Sequence, residues 1–474
     1  MKRPPHILYI LSDEHCGFAT GYMGDPNLRT PNLDRLAAEG VAFSHAYANS
    51  PICTPSRGTL FSGRHSHAGP VQHFFDVYKA TAPSTATLLR DAGYRTAFFG
   101  KWHLGVVRDQ MSPAVRENPT VYPEIDYFRR TPEYHRAGFQ DWYAFELNDD
   151  PFNFAYYEQD AVNPIRRSGY QTDLLTEMVI NYLEDYSLDN PLFLVLSVEP
   201  PHFPLEAPSS FERFDPAAMQ TRPNFGDTPE MRRALATYYA MIENLDWNIG
   251  RLLKSISKIG RFQDNFLTVY FSDHGDYMGS HGLIARKEYP HEEGVRIPLI
   301  FHWPGQIPAQ TMRNDLFSMI DMLPTTLDLA GQAIPGHIQG QSFAPACLGL
   351  PFSGPASVLL EMNNNPRWSL DFIDWRASVS HRWKYAYFET GHELLYDLQN
   401  DPYEMDNIAD SEPEIRERLK EELLRLLAES REPYFDVLIQ NGVPPAQPVI
   451  NVSERWRGGI APTWQDMIIT KETQ

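Results

Sequence analysis

Asp13 and Glu14, Lys101 and His103, His202, and Asp273 and His274 all stand just after runs of apolar residues that read as β-strands. In an open parallel sheet, sites form outside the carboxyl ends of the strands, so segments distant in sequence would deliver these groups to one rim. Unrelated surface charges would have no reason to share that position. Asp13, Glu14, Asp273 and His274 read as a metal site, because two carboxylates from one strand end and a carboxylate–imidazole pair from another offer oxygen-rich coordination to a hard divalent cation. That points to calcium, with manganese as the alternative that the imidazole admits. Either aspartate alone could equally cap a helix. Cys53-Thr54-Pro55-Ser56-Arg57 opens what reads as a helix and runs on into Gly58-Thr59-Leu60 and Ser62-Gly63-Arg64. A lone buried cysteine is usually a small hydrophobe, so its neighbours must decide its role.

The elements that must carry these groups alternate between strand and helix. Ile7–Leu11 is a buried-type strand. Thr30 and Pro31 give an N-cap and first-turn pair, Leu33, Leu36 and Ala37 share a helical face, and Gly40 closes the helix. Val41–Ala48 is extended and leads to the Cys53 stretch. A short helix over Thr85–Arg90 precedes the strand Arg95–Phe99. Thr172–Tyr186 reads as an amphipathic helix, Leu192–Val198 as a strand, Pro229–Ile259 as a long helix and Phe266–Phe271 as a strand. This alternation predicts an α/β fold, a large mostly parallel sheet covered by helices on both faces. Residues 106–165 are rich in Pro, Tyr, Phe and Asp without a sustained period, and read as a surface excursion that walls a substrate pocket. Beyond residue 355 the pattern changes. Val358–Glu361, Trp383–Phe388 and Glu393–Asp397 read as strands of a smaller antiparallel sheet. Ser411 with Glu414 suggests a capping box ahead of a helix whose apolar face is Ile415, Leu419, Leu423, Leu426 and Leu427. The expected organisation is a catalytic domain over 1–355, a small α+β subdomain over 356–432 and a C-terminal arm over 433–474. The arm would pack on the body or on a second copy of the chain as a homo-oligomer.

Composition narrows the partners. The 474 residues are 42% hydrophobic and 13% aromatic, as in a globular protein. Sixty-one acidic against 41 basic side chains give a formal charge of -20. That balance argues against nucleic acid and anionic membrane as partners. An anionic substrate would need Lys, Arg and His gathered locally against the global charge. Cys16, Cys53 and Cys347 cannot make a disulfide framework, and no CxxC pair suggests structural zinc. Cys16 reads as core. The apolar run Ile7–Leu11 is too short for a signal-peptide core, and no stretch approaches the ~20 apolar residues of a membrane span, so the expectation is a cytoplasmic protein.

In order along the chain come the opening strand with its acid pair, Cys53-Thr54-Pro55-Ser56-Arg57, Gly100-Lys101-Trp102-His103-Leu104-Gly105, Pro200-Pro201-His202 and Ser272-Asp273-His274-Gly275-Asp276. Lys287 then stands nine residues before Arg296, and Leu394-Leu395-Tyr396-Asp397-Leu398 is followed by Asp401-Pro402 and Glu404. Together these resemble the type I, formylglycine-dependent sulfatases of the alkaline phosphatase superfamily over almost the whole chain. The resemblance implies an alkaline-phosphatase-like fold and hydrolysis of a sulfate monoester. It implies that a formylglycine-generating enzyme oxidises Cys53 to formylglycine, whose hydrate carries two geminal hydroxyls. One hydroxyl, acidified by the metal, would attack sulfur, and the other would collapse the product back to the aldehyde and expel sulfate. Arg57 would hold the hydrate, Lys101 would bridge its oxygen and the sulfate, and His103 would take the proton that drives collapse. Lys287 and His202 would lie across the sulfate, with His202 as general acid to the leaving oxygen. Glu14 stands where many sulfatases have Asp, and His274 where many have Asn. The Asp-His pair resembles the branch of choline sulfatases and phosphonate monoester hydrolases, which makes phosphonate monoester or phosphodiester hydrolysis at the same site the alternative activity. His65, His67 and His73, just beyond the signature, could line the pocket mouth.

Overall fold

The structure is a computed structural model that describes residues 3–105, 130–148, 150–263, 265–363 and 373–441. Eleven strands form one sheet: β1 (His6–Ser12), β2 (Val41–Tyr47), β3 (Arg95–Lys101), β4 (Asp141–Phe145), β5 (Asn153–Glu158), β6 (Ile165–Ser168), β7 (Leu192–Ser197), β8 (Phe266–Ser272), β9 (Arg296–Ile297), β10 (Leu299–His302) and β11 (Thr311–Ser318). Their order is β11-β2-β10-β8-β1-β7-β3-β4-β5-β6, with β9 paired to β2. The central run β8-β1-β7-β3-β4 is parallel throughout, and β10 is inserted antiparallel between β8 and β2.

β1 lies in the middle of this run, and its unbroken apolar sequence follows from cover on both faces. Ile7, Tyr9 and Leu11 point into a core with Leu60, Phe61, Leu89, Leu323 and Leu327, which come from the helices Cys53–Ser62, Thr85–Asp91 and Met322–Leu329. Leu8 and Ile10 point the other way, into Leu33, Leu36, Val179, Leu183, Leu245 and Leu252 from the helices Pro31–Glu39, Gln171–Asp185 and Pro229–Ile256. Each such side chain, once fully buried, contributes roughly 1.5–3 kcal/mol of transfer free energy. Among the described residues, no helix is long and apolar enough to cross a membrane.

A second sheet, β12 (Val358–Met362), β13 (Trp375–Val379), β14 (Trp383–Phe388) and β15 (Glu393–Asp397), is antiparallel in that order. The helix Pro413–Ser430 packs on it through Leu419, Leu423, Leu426 and Leu427. The helix Pro433–Asn441 closes over that helix with Phe435 and Ile439 buried, so the first part of the expected arm is packed structure. Residues 442–474 of the arm, and residues 106–129 of the expected excursion, lie outside the described residues.

Three sequence expectations need correction. The rest of the excursion is not a plain surface loop: it supplies β4, β5 and β6, and β4 pairs in parallel with β3 while its Trp142 stacks on Phe98 at 5.3 Å. These strands are only 4 to 6 residues long, too short to show a period between turn residues. β13 escaped notice because Arg376 and Ser378 break its apolar run, yet both are buried. The guanidinium of Arg376 donates to the Met362 carbonyl, Asn363 Oδ1 and Glu432. The helix after Ser411 has Glu412 at its N-cap and Pro413 in its first turn, while Ser411 Oγ donates back to the Ile408 carbonyl at 3.2 Å. There is no capping box, because Glu412 rather than Ser411 is the N-cap and no side chain caps the first turn.

His65 and His67 do not reach the site. His67 Nδ1 lies 2.7 Å from Glu361 Oε2, its Nε2 lies 3.1 Å from the Ser430 carbonyl, and Ser66 Oγ donates to Glu361 Oε1 at 2.8 Å. This cluster ties the loop after the Cys53 helix to β12. Burial favours a neutral Glu361, but His67, and then Arg376 and His65, hold it well below its ordinary 4.5. His67 is raised above its ordinary 6.5, with burial opposing and Glu361 winning. Glu361 therefore contributes stability that is present above pH 4.5 and lost as pH falls, and His67 contributes stability present below pH 6.5 and lost as pH rises through its raised value. Glu361→Gln should cost about 2 kcal/mol in urea unfolding between those two values, with the deficit shrinking in acid. A deficit that does not change with pH would show that the carboxylate charge plays no part.

Candidate active site

Parallel register brings distant residues to one rim. Ser12 of β1 pairs with Ser272 of β8, so Asp13 and Asp273 leave adjacent strands side by side, and the Asp273 amide donates to the Ser12 carbonyl at 3.2 Å. On the other flank, Leu11 pairs with Ser197 of β7, and Ser197 pairs with Gly100 of β3. Lys101 follows at that end. Gly100 has φ +99°, and a Cβ there would sit 1.9 Å from the Ser197 carbonyl oxygen, so only glycine lets β3 approach β7 this closely.

The helix Cys53–Ser62 enters this rim with its N-terminus, and all of its residues are buried. One turn in, Arg57 meets both strand ends: its Nε donates to Asp273 Oδ2 at 2.9 Å and its Nη2 to Asp13 Oδ2 at 3.1 Å. Nη1 donates to the Lys101 carbonyl at 2.6 Å and to Ser197 Oγ at 3.0 Å. Lys101 Nζ adds a second cation 2.6 Å from Asp13 Oδ2. Each aspartate thus commits Oδ2 to cations and leaves Oδ1 facing the other way. His274 Nε2 stands 3.6 Å from Asp13 Oδ1, 3.7 Å from Asp273 Oδ1 and 3.2 Å from Cys53 Sγ. The other ring nitrogen, Nδ1, lies 2.9 Å from the Gly275 carbonyl; donating there, it leaves the Nε2 lone pair directed at the two carboxylate oxygens. Asp13, Cys53, Asp273 and His274 offer one ligand atom each, all within 4.8 Å of one another. Two anionic oxygens and an imidazole lone pair converging in a buried site suit a hard or borderline divalent cation.

Electrostatics follow the same division. Burial favours a neutral Asp13, but Lys101, then His202 and Arg57, hold its carboxyl well below the ordinary range. Burial and the Asp13 charge push Asp273 up. Burial likewise opposes the charge on Lys101, yet Asp13 holds that ammonium above its ordinary value. The Cys53 thiol is pushed well above 9 by burial and then by Asp13, so the unmodified side chain is a poor nucleophile here.

The remaining expected residues form the outer wall. His103, at φ +54°, lies edge-on to Phe74 and Phe75 with ring centroids 5.4 and 5.5 Å away. Neither of its ring nitrogens has a hydrogen-bond partner among the described residues. Burial, then Lys101 and Arg57, keep it neutral. Lys287 Nζ is 3.8 Å from Cys53 Sγ, 3.3 Å from His202 Nε2 and in direct contact with Glu14 Oε1. Glu14, at φ +65°, groups with Asp13 and His202 rather than with Asp273 and His274. Ser197 and Glu199 were missed in the sequence. Ser197 holds Arg57, and Glu199 lies 3.8 Å from Lys101 while accepting from Gln171 Nε2. Their signal was position, since both stand at the carboxyl end of β7 just before His202. His73 pairs locally with Asp76, and Cys16 is core, as expected.

Arg57 sits between two fully buried carboxylates. Arg57→Met should destabilise the protein by about 3–5 kcal/mol at neutral pH, and by less in acid, where the aspartates protonate. Equilibrium denaturation at both pH values checks this, and an unchanged midpoint at neutral pH would contradict it.

Comparison with known proteins agrees with this geometry. Residues 5–332 match the Sulfatase family, and residues 279–429 match the N-sulphoglucosamine sulphohydrolase C-terminal family. An ulvan-active sulfatase of Formosa agariphila is 31% identical over 434 residues, spanning 88% of this chain and 79% of that protein. A choline-sulfatase of Rhizobium meliloti is 28% identical, spanning 86% of this chain and 83% of its own. Among solved structures, one from work on glycosaminoglycan metabolism by Bacteroides thetaiotaomicron (BT33494S-sulf) has the same fold at a TM-score of 0.82 and 25% identity, covering 93% of this chain and 99% of that one. Family, fold and strand-end chemistry agree: the chain belongs to the alkaline-phosphatase-like sulfatases and is a hydrolase of sulfate esters.

Proposed function

We propose that the chain cleaves a sulfate monoester with a formylglycine made from Cys53 by a formylglycine-generating enzyme, beside one divalent cation. The observation that carries this reading is the convergence of Asp13 Oδ1, Asp273 Oδ1 and His274 Nε2 on the Cys53 side chain. Those three atoms would hold the cation, calcium or alternatively manganese, with Glu14 beside them. When bound, it supplies Lewis acidity that lowers the pKa of the nucleophilic hydroxyl. Formylglycine supplies, as its hydrate, one hydroxyl to attack and a second to reverse the attachment, a route closed to a thiol.

Arg57, fixed by four hydrogen bonds to Asp13, Asp273, Lys101 and Ser197, holds the nucleophilic side chain in place. Lys101 stays charged against Asp13 and presents positive charge to a sulfate oxygen. Lys287 and His202 bracket the opposite side of the pocket, where a singly charged sulfate would draw them from Glu14. His202 Nδ1 contacts the Phe203 carbonyl, which leaves Nε2 as the atom that passes a proton to the leaving oxygen. Such assistance is worth ~10²–10⁴ in rate. His103, neutral and with both ring nitrogens unpartnered among the described residues, accepts the proton when sulfate departs. The ulvan-active relative makes a sulfated carbohydrate the substrate class to assay alongside an aryl sulfate.

Cys53→Ala should abolish turnover of an aryl sulfate without changing the unfolding midpoint, and retained activity would sink the mechanism. In active protein, the peptide bearing Cys53 should weigh about 18 Da less than the thiol form. On one metal-loaded preparation, phenyl phosphonate turned over far faster than aryl sulfate would replace this reading with phosphonate monoester hydrolysis.

A further inference from the structure

Lys287 lies in a stretch, residues 283–291, that has neither helix nor strand, so its place beside Cys53 depends on contacts from neighbouring elements. Inside the large unit the Tyr277 amide donates to the Arg286 carbonyl at 3.1 Å, the Asp276 carboxylate accepts from the Ala285 and Arg286 backbone, the Lys287 amide donates to Glu288 Oε2 at 3.1 Å, and the Tyr277 hydroxyl lies 2.7 Å from His291 Nδ1. The small sheet adds a second set of contacts. Trp375 of β13 donates its indole N–H to the Glu288 carbonyl at 2.8 Å, one residue from the lysine. Tyr396 of β15 hydrogen-bonds His291 Nε2 at 3.2 Å. Lys384 of β14 pairs with Glu292 Oε1 at 2.8 Å and Glu404 Oε1 at 2.7 Å, while Glu404 Oε2 accepts from the Glu292 amide at 2.6 Å. Three neighbouring strands and the turn after them therefore each place one polar group on residues 288–292. Tyr289 packs on the apolar cluster of the same sheet, which includes Trp375, Phe388 and Tyr396. Gly294 closes the stretch: a Cβ there would stand 2.7 Å from the Lys287 carbonyl oxygen.

We infer that the small C-terminal sheet positions Lys287 for the sulfate, and that Trp375 is the principal positioning residue because its contact falls nearest the lysine. This rests on the reading of Lys287 as a sulfate-binding cation. Trp375 is fully buried, touches no reacting group and reaches the stretch through the Glu288 carbonyl and through the cluster on which Tyr289 packs. Small displacements of a positioned charge are costly in rate, so the loss should appear in kcat/KM and in affinity for inorganic sulfate.

The test is a double-mutant cycle on the formylglycine-bearing, metal-loaded enzyme with an aryl sulfate. Trp375→Phe keeps a smaller aromatic ring and removes the donor. It should lower kcat/KM about tenfold in the parent and weaken inhibition by inorganic sulfate to match, yet have almost no effect in a Lys287→Ala background. Equal losses in both backgrounds would overturn the inference, because the tryptophan would then act through general stability. A Lys287→Ala variant with unchanged kcat/KM would instead overturn the reading of the lysine itself. Should Trp375→Phe not fold, Tyr396→Phe, which removes a single hydroxyl, carries the same cycle with the same two outcomes.

Discussion

One guanidinium shared by two buried carboxylates is the constraint around which this rim is built. Asp13 and Asp273 leave neighbouring strands shut off from bulk solvent, and both side chains are fully buried. Two unpaired carboxylates in such a place cost several kcal/mol each. Arg57 relieves one oxygen of each and no more. That partial relief leaves the two Oδ1 atoms turned together toward His274 and Cys53, a concentration of negative charge suited to a cation. Close packing keeps the arrangement from relaxing: a Cβ on Gly275 would sit 2.0 Å from the Glu293 carbonyl oxygen, and one on Gly58 would sit 2.5 Å from Val71 Cβ.

The charge on the molecule as a whole works against its substrate, and the site answers with burial rather than number. A chain at -20 repels a sulfate ester at long range, and solvent ions screen that repulsion beyond about 10 Å. Inside the rim, Lys101 has no exposure and Lys287 has 13%, so their charges act in a medium of low dielectric. Carboxylates favour the charged forms: Asp13 holds Lys101 up, while Asp13 and Glu288 oppose the burial that pulls Lys287 down. The acidic partners that look wasteful in an anion-binding site are what favour charge on the cations there.

Much of this could be read in the sequence because a parallel sheet leaves few places for chemistry. Once Ile7–Leu11, Arg95–Phe99, Leu192–Val198 and Phe266–Phe271 are recognised as neighbouring strands, Asp13, Lys101, His202 and Asp273 must share an edge. What escaped depended on side-chain direction and local packing, which periodicity does not encode. The left-handed backbone at Glu14 turns its carboxylate toward Lys287 and His202, and nothing in Asp13-Glu14-His15 marks that φ. His65 and His67 follow the signature closely in sequence but turn to Glu361, a residue some 295 positions away. β13 was hidden by an arginine whose partners come from β12 and from Glu432. Ser197 was hidden because a serine at a strand end is ordinary until an arginine is found beside it.

The burial of Cys53 also sets a clock. Its side chain is 2% exposed, and His274, the residue that closes over it, lies 221 positions further along the chain. The sulfur is covered once β8 has docked beside β1, and β8 does not exist until those residues are made. At 5–20 residues per second, synthesis leaves the thiol open for roughly 10–45 s. Long-range parallel pairing then adds its own delay, because closing a loop of this length precedes any reward from the contacts. Anything that hastened the docking of β8 would shorten the interval before the cysteine is buried.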